Sequence, residues 1–188
     1  SQSNLMLSCI KMNQEPFHLD EIEEVDLEPG MHIAVRCNAS PIPKVVTPRG
    51  DGSYDHHGIY IGNGNVVHFW GRAGSAATVC ACGLSDFRRG SVDNELYVAT
   101  HTVETVPLQQ ALRRAIVVAA EGWEYDLFNR NCETFATYIK TGKGFSTQAQ
   151  KTMHNVACLG LSTATAVAAV VLFVAILGLV WQRSGRTK

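Results

Sequence analysis

The segment HHGIYIGNGNVVHFW, residues 56–70, determines the expected fold. Two runs of β-branched and aromatic residues flank the sequence Gly62-Asn63-Gly64-Asn65, and Asn-Gly between two such runs is a strong signal for a β-hairpin. The two strands would lie side by side and antiparallel, with a histidine near the outer end of each. The segment therefore predicts an antiparallel sheet at the centre of the domain.

Further elements are predicted on both sides of the hairpin. Residues 28–37 alternate apolar and polar side chains after a Pro-Gly turn, as a half-buried strand does, and residues 95–103 are a second strand candidate. Residues 38–55 hold three prolines and two glycines and predict a loop. Residues 107–122 begin with proline, end with glycine and carry one apolar face, which predicts a helix. Strands that precede helices favour an α+β domain.

Charge and composition limit the classes of function. The chain has 16 Lys plus Arg and 17 Asp plus Glu, so no basic field favours nucleic acid as a partner. Residues 20–28 hold six acids and predict a solvated segment that leads into the domain. We therefore divide the chain into a polar, acidic segment at residues 1–26 and a domain at residues 27–150.

The C-terminal part of the chain has the composition of a membrane span. No charged residue lies between Lys151 and Arg183, and residues 159–181 are almost wholly apolar or small. As a helix, these 23 residues would be about 35 Å long, enough to cross a hydrocarbon core of roughly 30 Å. We predict one transmembrane helix at residues 156–181, with Trp181 at the interface.

The flanks of this span do not decide its orientation, because basic residues lie on both sides. Insertion as a C-terminal tail anchor, with residues 182–188 as a short basic tail, is the simplest topology and leaves the domain in the cytosol. Cysteines in that compartment are reduced. Their irregular spacing also lacks the pattern of a disulfide scaffold; they are Cys9, Cys37, Cys80, Cys82, Cys132 and Cys158.

Cys132 is the candidate nucleophile. It follows an asparagine in NRNCETFATYIK, residues 129–140, at the head of a stretch with helical spacing. Unpaired N–H groups and partial positive charge at a helix start favour the thiolate, the nucleophilic form. The alternative is that Cys132 is a small buried hydrophobic residue, which many free cysteines are.

A general base for this thiol can come from the hairpin, which contains His56, His57 and His68. Adjacent strand residues point to opposite faces, so only one of His56 and His57 can join His68, and the pattern favours neither. A zinc site built from these histidines with Cys80 and Cys82 would lack the two-residue spacing of common zinc motifs. We expect neither a metal nor a cofactor.

Two separated motifs carry a resemblance to a known family. DHHGIYIGNGNVVHFWG, followed some sixty residues later by YDLFNRNCETFATYIKTG, resembles the lecithin retinol acyltransferase-like family, a branch of the NlpC-type, permuted papain-like thiol hydrolases. The resemblance implies an antiparallel sheet with the cysteine helix packed on it. It also implies that Cys132 is the nucleophile, His56 the base and His68 the residue that orients the base. Thr134 stands where animal acyltransferases of the family usually have histidine, which weakens the assignment of a particular substrate.

The resemblance implies a membrane-anchored thiol acyltransferase or phospholipase that acts on lipid esters, such as phospholipids, through an acyl-cysteine thioester. One alternative is a catalytically silent membrane adaptor of the same fold, as in the histidine and Asn-Cys proteins of some small RNA viruses. A cysteine peptidase or amidase would use the same chemistry on a different substrate.

Overall fold

The domain is built on one antiparallel sheet. A computed structural model describes residues 15–39, 43–70, 78–123 and 131–158. Within these residues, six strands lie in the order β1-β6-β2-β3-β4-β5, and every pairing between neighbours is antiparallel. The strands are β1 (Phe17–Glu21), β2 (His32–Asn38), β3 (Ser53–Gly62), β4 (Asn65–Trp70), β5 (Thr78–Gly83) and β6 (Tyr97–His101).

The predicted hairpin is confirmed in β3 and β4. Its two turn residues, Asn63 and Gly64, have φ angles of 52° and 68°. Positive φ at both central positions is typical of a type I′ turn, whose twist matches that of the flanking strands. The hairpin therefore sets the register of the two strands that carry the candidate site.

The described residues contain four α-helices, one between β5 and β6 and three after β6. They are α1 (Leu84–Arg88), α2 (Leu108–Glu121), α3 (Cys132–Thr141) and α4 (Thr147–Cys158). The prediction of a helix between Pro107 and Gly122 is confirmed by α2, which ends at Gly122 with a φ of 77°. Together with the sheet, these helices confirm the predicted α+β class.

Different helices cover the two faces of the sheet. Because side chains alternate along a strand, adjacent residues of β4 point to opposite faces. Val67 belongs to the face covered by α2 and α3, while Val66 belongs to the face covered by α1. The first core consists of Ile59, Val67, Phe69, Val79, Ala111, Ala115, Phe135, Ala136 and Ile139. The second consists of Ile33, Val35, Cys37, Val66, Leu84, Phe87 and Leu96.

The sheet includes residues from before position 27, the predicted domain start. Strand β1 pairs with β6, and Phe17 is buried against the rings of His32 and His57. The structure also begins β3 at Ser53, inside the stretch predicted as a loop. Short strands and loop ends of this kind are determined by tertiary pairing more than by local composition.

Among the described residues, the helices are too short or too polar to cross a bilayer. The predicted span at 156–181 overlaps α4 at its first three residues. The rest of it, and the predicted basic tail at 182–188, lie outside the described residues.

Candidate active site

Cys132 is the first residue of helix α3, and the residue before it caps the helix. The side chain of Asn131 accepts a hydrogen bond from the backbone N–H of Thr134 at 2.8 Å, which is the bond expected of an N-cap asparagine. The Asn-Cys pair therefore fixes the helix start directly before the thiol. The Thr134 side chain also faces the cap, with its hydroxyl 3.2 Å from the same Asn131 oxygen.

The Cys132 thiol lies near strand β3, since the backbone N–H of His57 acts to lower its pKa. In this strand the N–H of Tyr60 points to β2, because it donates to Met31, so by alternation the N–H of His57 points to the β4 side. Pairing between β3 and β4 begins only at Gly58. The Cys132 thiol is therefore near the peptide that joins residues 56 and 57, where β3 is not paired with β4.

His56 and His68 form a hydrogen-bonded pair on the α1 face of the sheet. Nε2 of His56 lies 2.8 Å from Nδ1 of His68, and both side chains are buried. The contact is diagonal, since the register pairs His68 with Gly58 rather than with His56. The ring of Phe87 packs against both imidazoles, with centroids 5.2 and 5.3 Å away. The choice that the sequence pattern left open is therefore decided: His56, not His57, joins His68.

The pair continues to a second sulfur. Nε2 of His68 lies 3.0 Å from Sγ of Cys82 on the neighbouring strand β5. The three side chains of His56, His68 and Cys82 thus form a continuous row of hydrogen-bonding groups across β3, β4 and β5. Sequence reasoning considered Cys82 only as a metal ligand and gave it no part in this row.

Burial controls the charge state of the site. It raises the pKa of the Cys132 thiol to about 12, although the N–H groups of His57, Glu133 and Cys132 itself act to lower it. Burial, with the neighbouring His68, holds the pKa of His56 well below its ordinary value, and burial lowers that of His68 to about 4. Burial therefore favours the thiol form of Cys132. The helix start contributes in the predicted direction, but desolvation of a buried charge is the larger effect.

Glu133 anchors helix α4 beside the nucleophile. Its buried carboxylate accepts hydrogen bonds from the Ser146 hydroxyl, from the N–H and hydroxyl of Thr147, and from the N–H of Gln148. A carboxylate at the N-terminal end of a helix also interacts favourably with the partial positive charge of the helix dipole there. Sequence analysis missed this role, although an acidic residue within an otherwise apolar helix face and a Ser-Thr pair before α4 were visible signals.

Three further histidines form a directional chain on the opposite face. The amide of Gln148 is oriented by Asp55, whose N–H donates to Oε1 at 2.7 Å and whose carbonyl accepts from Nε2 at 2.8 Å. That nitrogen also lies 3.0 Å from Nε2 of His57, which must therefore accept. Nδ1 of His57 then donates to His32 at 2.9 Å, and His32 in turn donates to His101 at 3.1 Å.

Tyr60 lies on the same strand as His56, and its side chain has a structural role. The hydroxyl of Tyr60 accepts the N–H of Gly64 at 3.2 Å, and its ring packs against the second core. No group of three His, Cys, Asp or Glu side chains among the described residues is arranged to hold a metal ion. This includes the possible zinc ligands weighed above.

Comparison with known proteins places these residues in a family. The family model for lecithin retinol acyltransferase matches residues 38–145, more than half of the chain. The chain belongs to the lecithin retinol acyltransferase family. The prediction made from the two sequence motifs is therefore confirmed, and the matched region contains His56, His68 and Cys132.

Curated relatives agree with this family. Phospholipase A and acyltransferase 1 of Rattus norvegicus is 26% identical over 116 residues, which cover 55% of this chain and 70% of the rat protein. The protein of the same name from Mus musculus is 27% identical with the same coverage. That of Homo sapiens is 26% identical and 69% covered.

Proposed function

We propose that this chain is a membrane-anchored, cysteine-dependent acyltransferase or phospholipase that acts on lipid esters. The observation that carries the proposal is the buried hydrogen bond between His56 and His68, on the strand whose next residue, His57, has its backbone N–H near the Cys132 thiol. A nucleophile, a base and a group that orients the base are the parts that thiol acyl transfer requires. The names of the relatives, which include both phospholipase A and acyltransferase, support lipid esters as the substrate class.

In the first step, His56 would accept the thiol proton of Cys132. Nε2 of His56 lies 2.8 Å from Nδ1 of His68, and we assign the thiol proton to Nδ1 of His56. The thiolate attacks the ester carbonyl, the bond to the alkoxy group breaks, and the imidazolium returns the proton to the leaving alcohol or lysolipid. The acyl group then remains on Cys132 as a thioester.

In the second step, an acceptor takes the acyl group from Cys132. Water gives phospholipase activity, whereas an amine or hydroxyl gives acyltransferase activity, and His56 removes the acceptor's proton in either case. The oxyanion formed in each step requires N–H donors. The backbone N–H of Cys132 is our candidate, because N–H groups in the first turn of a helix have no intrahelical partner.

Burial makes the resting pair neutral, and this suits a site that works against a lipid surface. Proton transfer from Cys132 to His56 separates charge inside a poorly solvated site, and the N–H groups directed at the sulfur would stabilise the thiolate as it forms. The pKa of His56 lies below its ordinary value, so its neutral form is present at pH 7. We expect activity to fall in acid, where histidine becomes protonated.

The predicted span at 156–181 would hold the domain at its substrate. The first residues of this span belong to helix α4. Glu133, the residue after Cys132, accepts hydrogen bonds from the first turn of α4 and so connects that helix to the site. Anchoring raises the local concentration of lipid ester around the site. We propose a single-pass C-terminal anchor with the domain on the cytosolic side.

Acyl release by the full-length chain in phospholipid-detergent micelles, with and without an amine acceptor, tests this function. Cys132→Ser and His56→Ala should each lower turnover by at least about 100-fold, since each removes a required chemical group. Matched controls are Cys158→Ser and His18→Ala, which change an exposed thiol and an exposed imidazole. Equal release by all five proteins, with folding confirmed by circular dichroism, would refute the proposal.

One observation favours a second candidate, the catalytically silent adaptor. A buried thiol whose pKa is raised to about 12 is poorly reactive unless a base takes its proton. A lipid-like thiol-reactive probe separates the two functions. Labelling of Cys132 in the unmodified protein that is lost in His56→Ala supports the enzyme. Absence of labelling in both the unmodified protein and His56→Ala supports the adaptor.

A further inference from the structure

Gln148, the second residue of helix α4, joins that helix to strand β3 through its side-chain amide. Its Oε1 accepts the backbone N–H of Asp55 at 2.7 Å, and its Nε2 donates to the carbonyl of the same residue at 2.8 Å. The amide nitrogen also lies 3.0 Å from Nε2 of His57. One side chain therefore contacts the residues on both sides of the candidate base, His56.

The amide takes the place of a neighbouring strand at this edge of β3. Backbone groups of alternate strand residues point to the same side, so those of Asp55 point towards β4, as those of His57 and Ile59 do. Among the described residues, pairing with β4 begins only at Gly58. A carboxamide carries an acceptor beside a donor, as a peptide group does. Gln148 thus supplies the hydrogen bonds that β4 supplies further along.

The same residue is hydrogen-bonded to the helix of the candidate nucleophile. The backbone N–H of Gln148 donates to Oε2 of Glu133 at 3.0 Å, and Glu133 directly follows Cys132 in the chain. The side chain of Gln148 therefore contacts the strand that carries the candidate base, while its backbone contacts the helix that carries the thiol. These two segments are connected through one residue at the start of α4.

We propose that Gln148 is a positioning residue of this site, and that its amide holds His56 within proton-transfer distance of Cys132. The proposal rests on the proposed function, in which the thiol proton passes to this histidine. Proton transfer requires the two groups to lie within hydrogen-bond reach of each other. Release of β3 from α4 would therefore slow the reaction without removing any reacting group.

Substitutions of similar size separate the three bonds of the amide. An ionised glutamate has the same shape but no hydrogen to donate, and methionine has similar length but only a weakly accepting sulfur. Gln148→Glu should therefore keep the bond from the Asp55 N–H and lose the two donated bonds, whereas Gln148→Met should lose all three. The matched control is Gln150→Met, because Gln150 is exposed on the same helix.

The first test detects the bonds of Gln148 in solution, by ¹⁵N NMR of the histidine rings in the full-length chain in micelles. Asp55 orients the amide, so Nε2 of His57 must accept, and burial lowers the pKa of this ring. We therefore expect a neutral ring at pH 7 with its hydrogen on Nδ1. In Gln148→Glu we expect a hydrogen on Nε2, because a carboxylate only accepts. A hydrogen on Nε2 of His57 in the unmodified protein would overturn the proposal.

The second test measures the alkylation rate of Cys132 by a small thiol reagent, with the labelled site identified by mass spectrometry. The temperature is one at which circular dichroism shows every variant to be folded. Gln148→Met should lower the rate by about 100-fold, the cost of a displacement of about 1 Å. Gln148→Glu should lower it less, and Gln150→Met should leave it unchanged. Equal rates in Gln148→Met and the unmodified protein would overturn the proposal.

A double variant distinguishes positioning from a general loss of stability. If Gln148 acts through His56, Gln148→Met should change the alkylation rate by less than about twofold in a chain that already carries His56→Ala. Effects of the two substitutions that multiply would overturn the proposal, because they would show that Gln148 acts on the thiol by another route.

The outcomes separate this inference from the proposed function. The expected tautomers and alkylation rates, without any acyl transfer by the unmodified protein, would refute the proposed function and leave the positioning role established. Acyl transfer that is undiminished in Gln148→Met would overturn the positioning role and leave the proposed function standing. Should the methionine variant fail to fold, the tautomer of His57 in the unmodified protein and the rate of Gln148→Glu decide the matter, and an unchanged rate there would overturn the proposal.

Discussion

Replacement of Glu133 by alanine should destabilise the domain by about 4 kcal/mol. The side chain is 1% exposed, and its carboxylate accepts four hydrogen bonds from residues 146–148. Hydrogen bonds to a charged group contribute about 1.5–3 kcal/mol each. Their sum overestimates the effect, because the donors at the start of α4 are partly exposed and regain water when the carboxylate is lost. The estimate therefore corresponds to about two such bonds.

Denaturant unfolding of the full-length chain in mild detergent, followed by circular dichroism, measures this loss. Glu133→Gln keeps one acceptor oxygen and should cost about half as much. Glu121→Ala removes an exposed acid from α2 and should change the free energy of unfolding by less than about 0.5 kcal/mol. If Glu133→Ala destabilises the domain no more than Glu121→Ala, the reasoning that ties α4 to α3 is refuted.

Two further predictions concern acid and packing. Burial is the main cause of the lowered pKa values of five histidines in the fold, so the unfolded state binds more protons below pH about 6.5 and the protein loses stability as the pH falls. For His68, whose pKa is about 4 in the fold and about 6.5 in the unfolded chain, the stability lost by pH 4 is roughly 3 kcal/mol. Denaturant midpoints measured from pH 7.5 to 4.5 check this, and a midpoint that stays constant would contradict it. Gly58→Ala should cost about 1–3 kcal/mol, because the new Cβ would lie 2.6 Å from Cγ1 of Val66 and 3.0 Å from the Phe87 ring. Thermal unfolding measures this cost, with Gly83→Ala as the control, since a Cβ at Gly83 meets its nearest atom at 3.7 Å.

Local signals predicted the centre of the fold and the cysteine helix. Asn63-Gly64 fixes a type I′ turn by backbone conformation alone, so the hairpin and its register follow from sequence. The Asn-Cys start of α3 has a similar local cause in side-chain capping. The two motifs that indicate the family lie on these same elements.

Other features depend on contacts between distant parts of the chain, and sequence reasoning missed them. The bond between His32 and His101 joins residues 69 positions apart, and nothing local marks either histidine. Strand β1 lies within a polar stretch and exists through its pairing with β6. The helix start predicts an effect that lowers the pKa of Cys132, whereas the burial that raises this pKa depends on the whole fold.

The acyl-enzyme itself offers the most direct test of the central claim, that Cys132 carries the acyl group and His56 supplies the base. The full-length chain is mixed with phospholipid micelles, quenched in acid within seconds and digested. The mass of the peptide that contains residue 132 is then measured by mass spectrometry. The account predicts an added mass of one acyl chain on Cys132, formed at least about 100-fold more slowly in His56→Ala. Fatty acid release that continues in Cys132→Ser, with no acylated peptide in the unmodified protein, would contradict it.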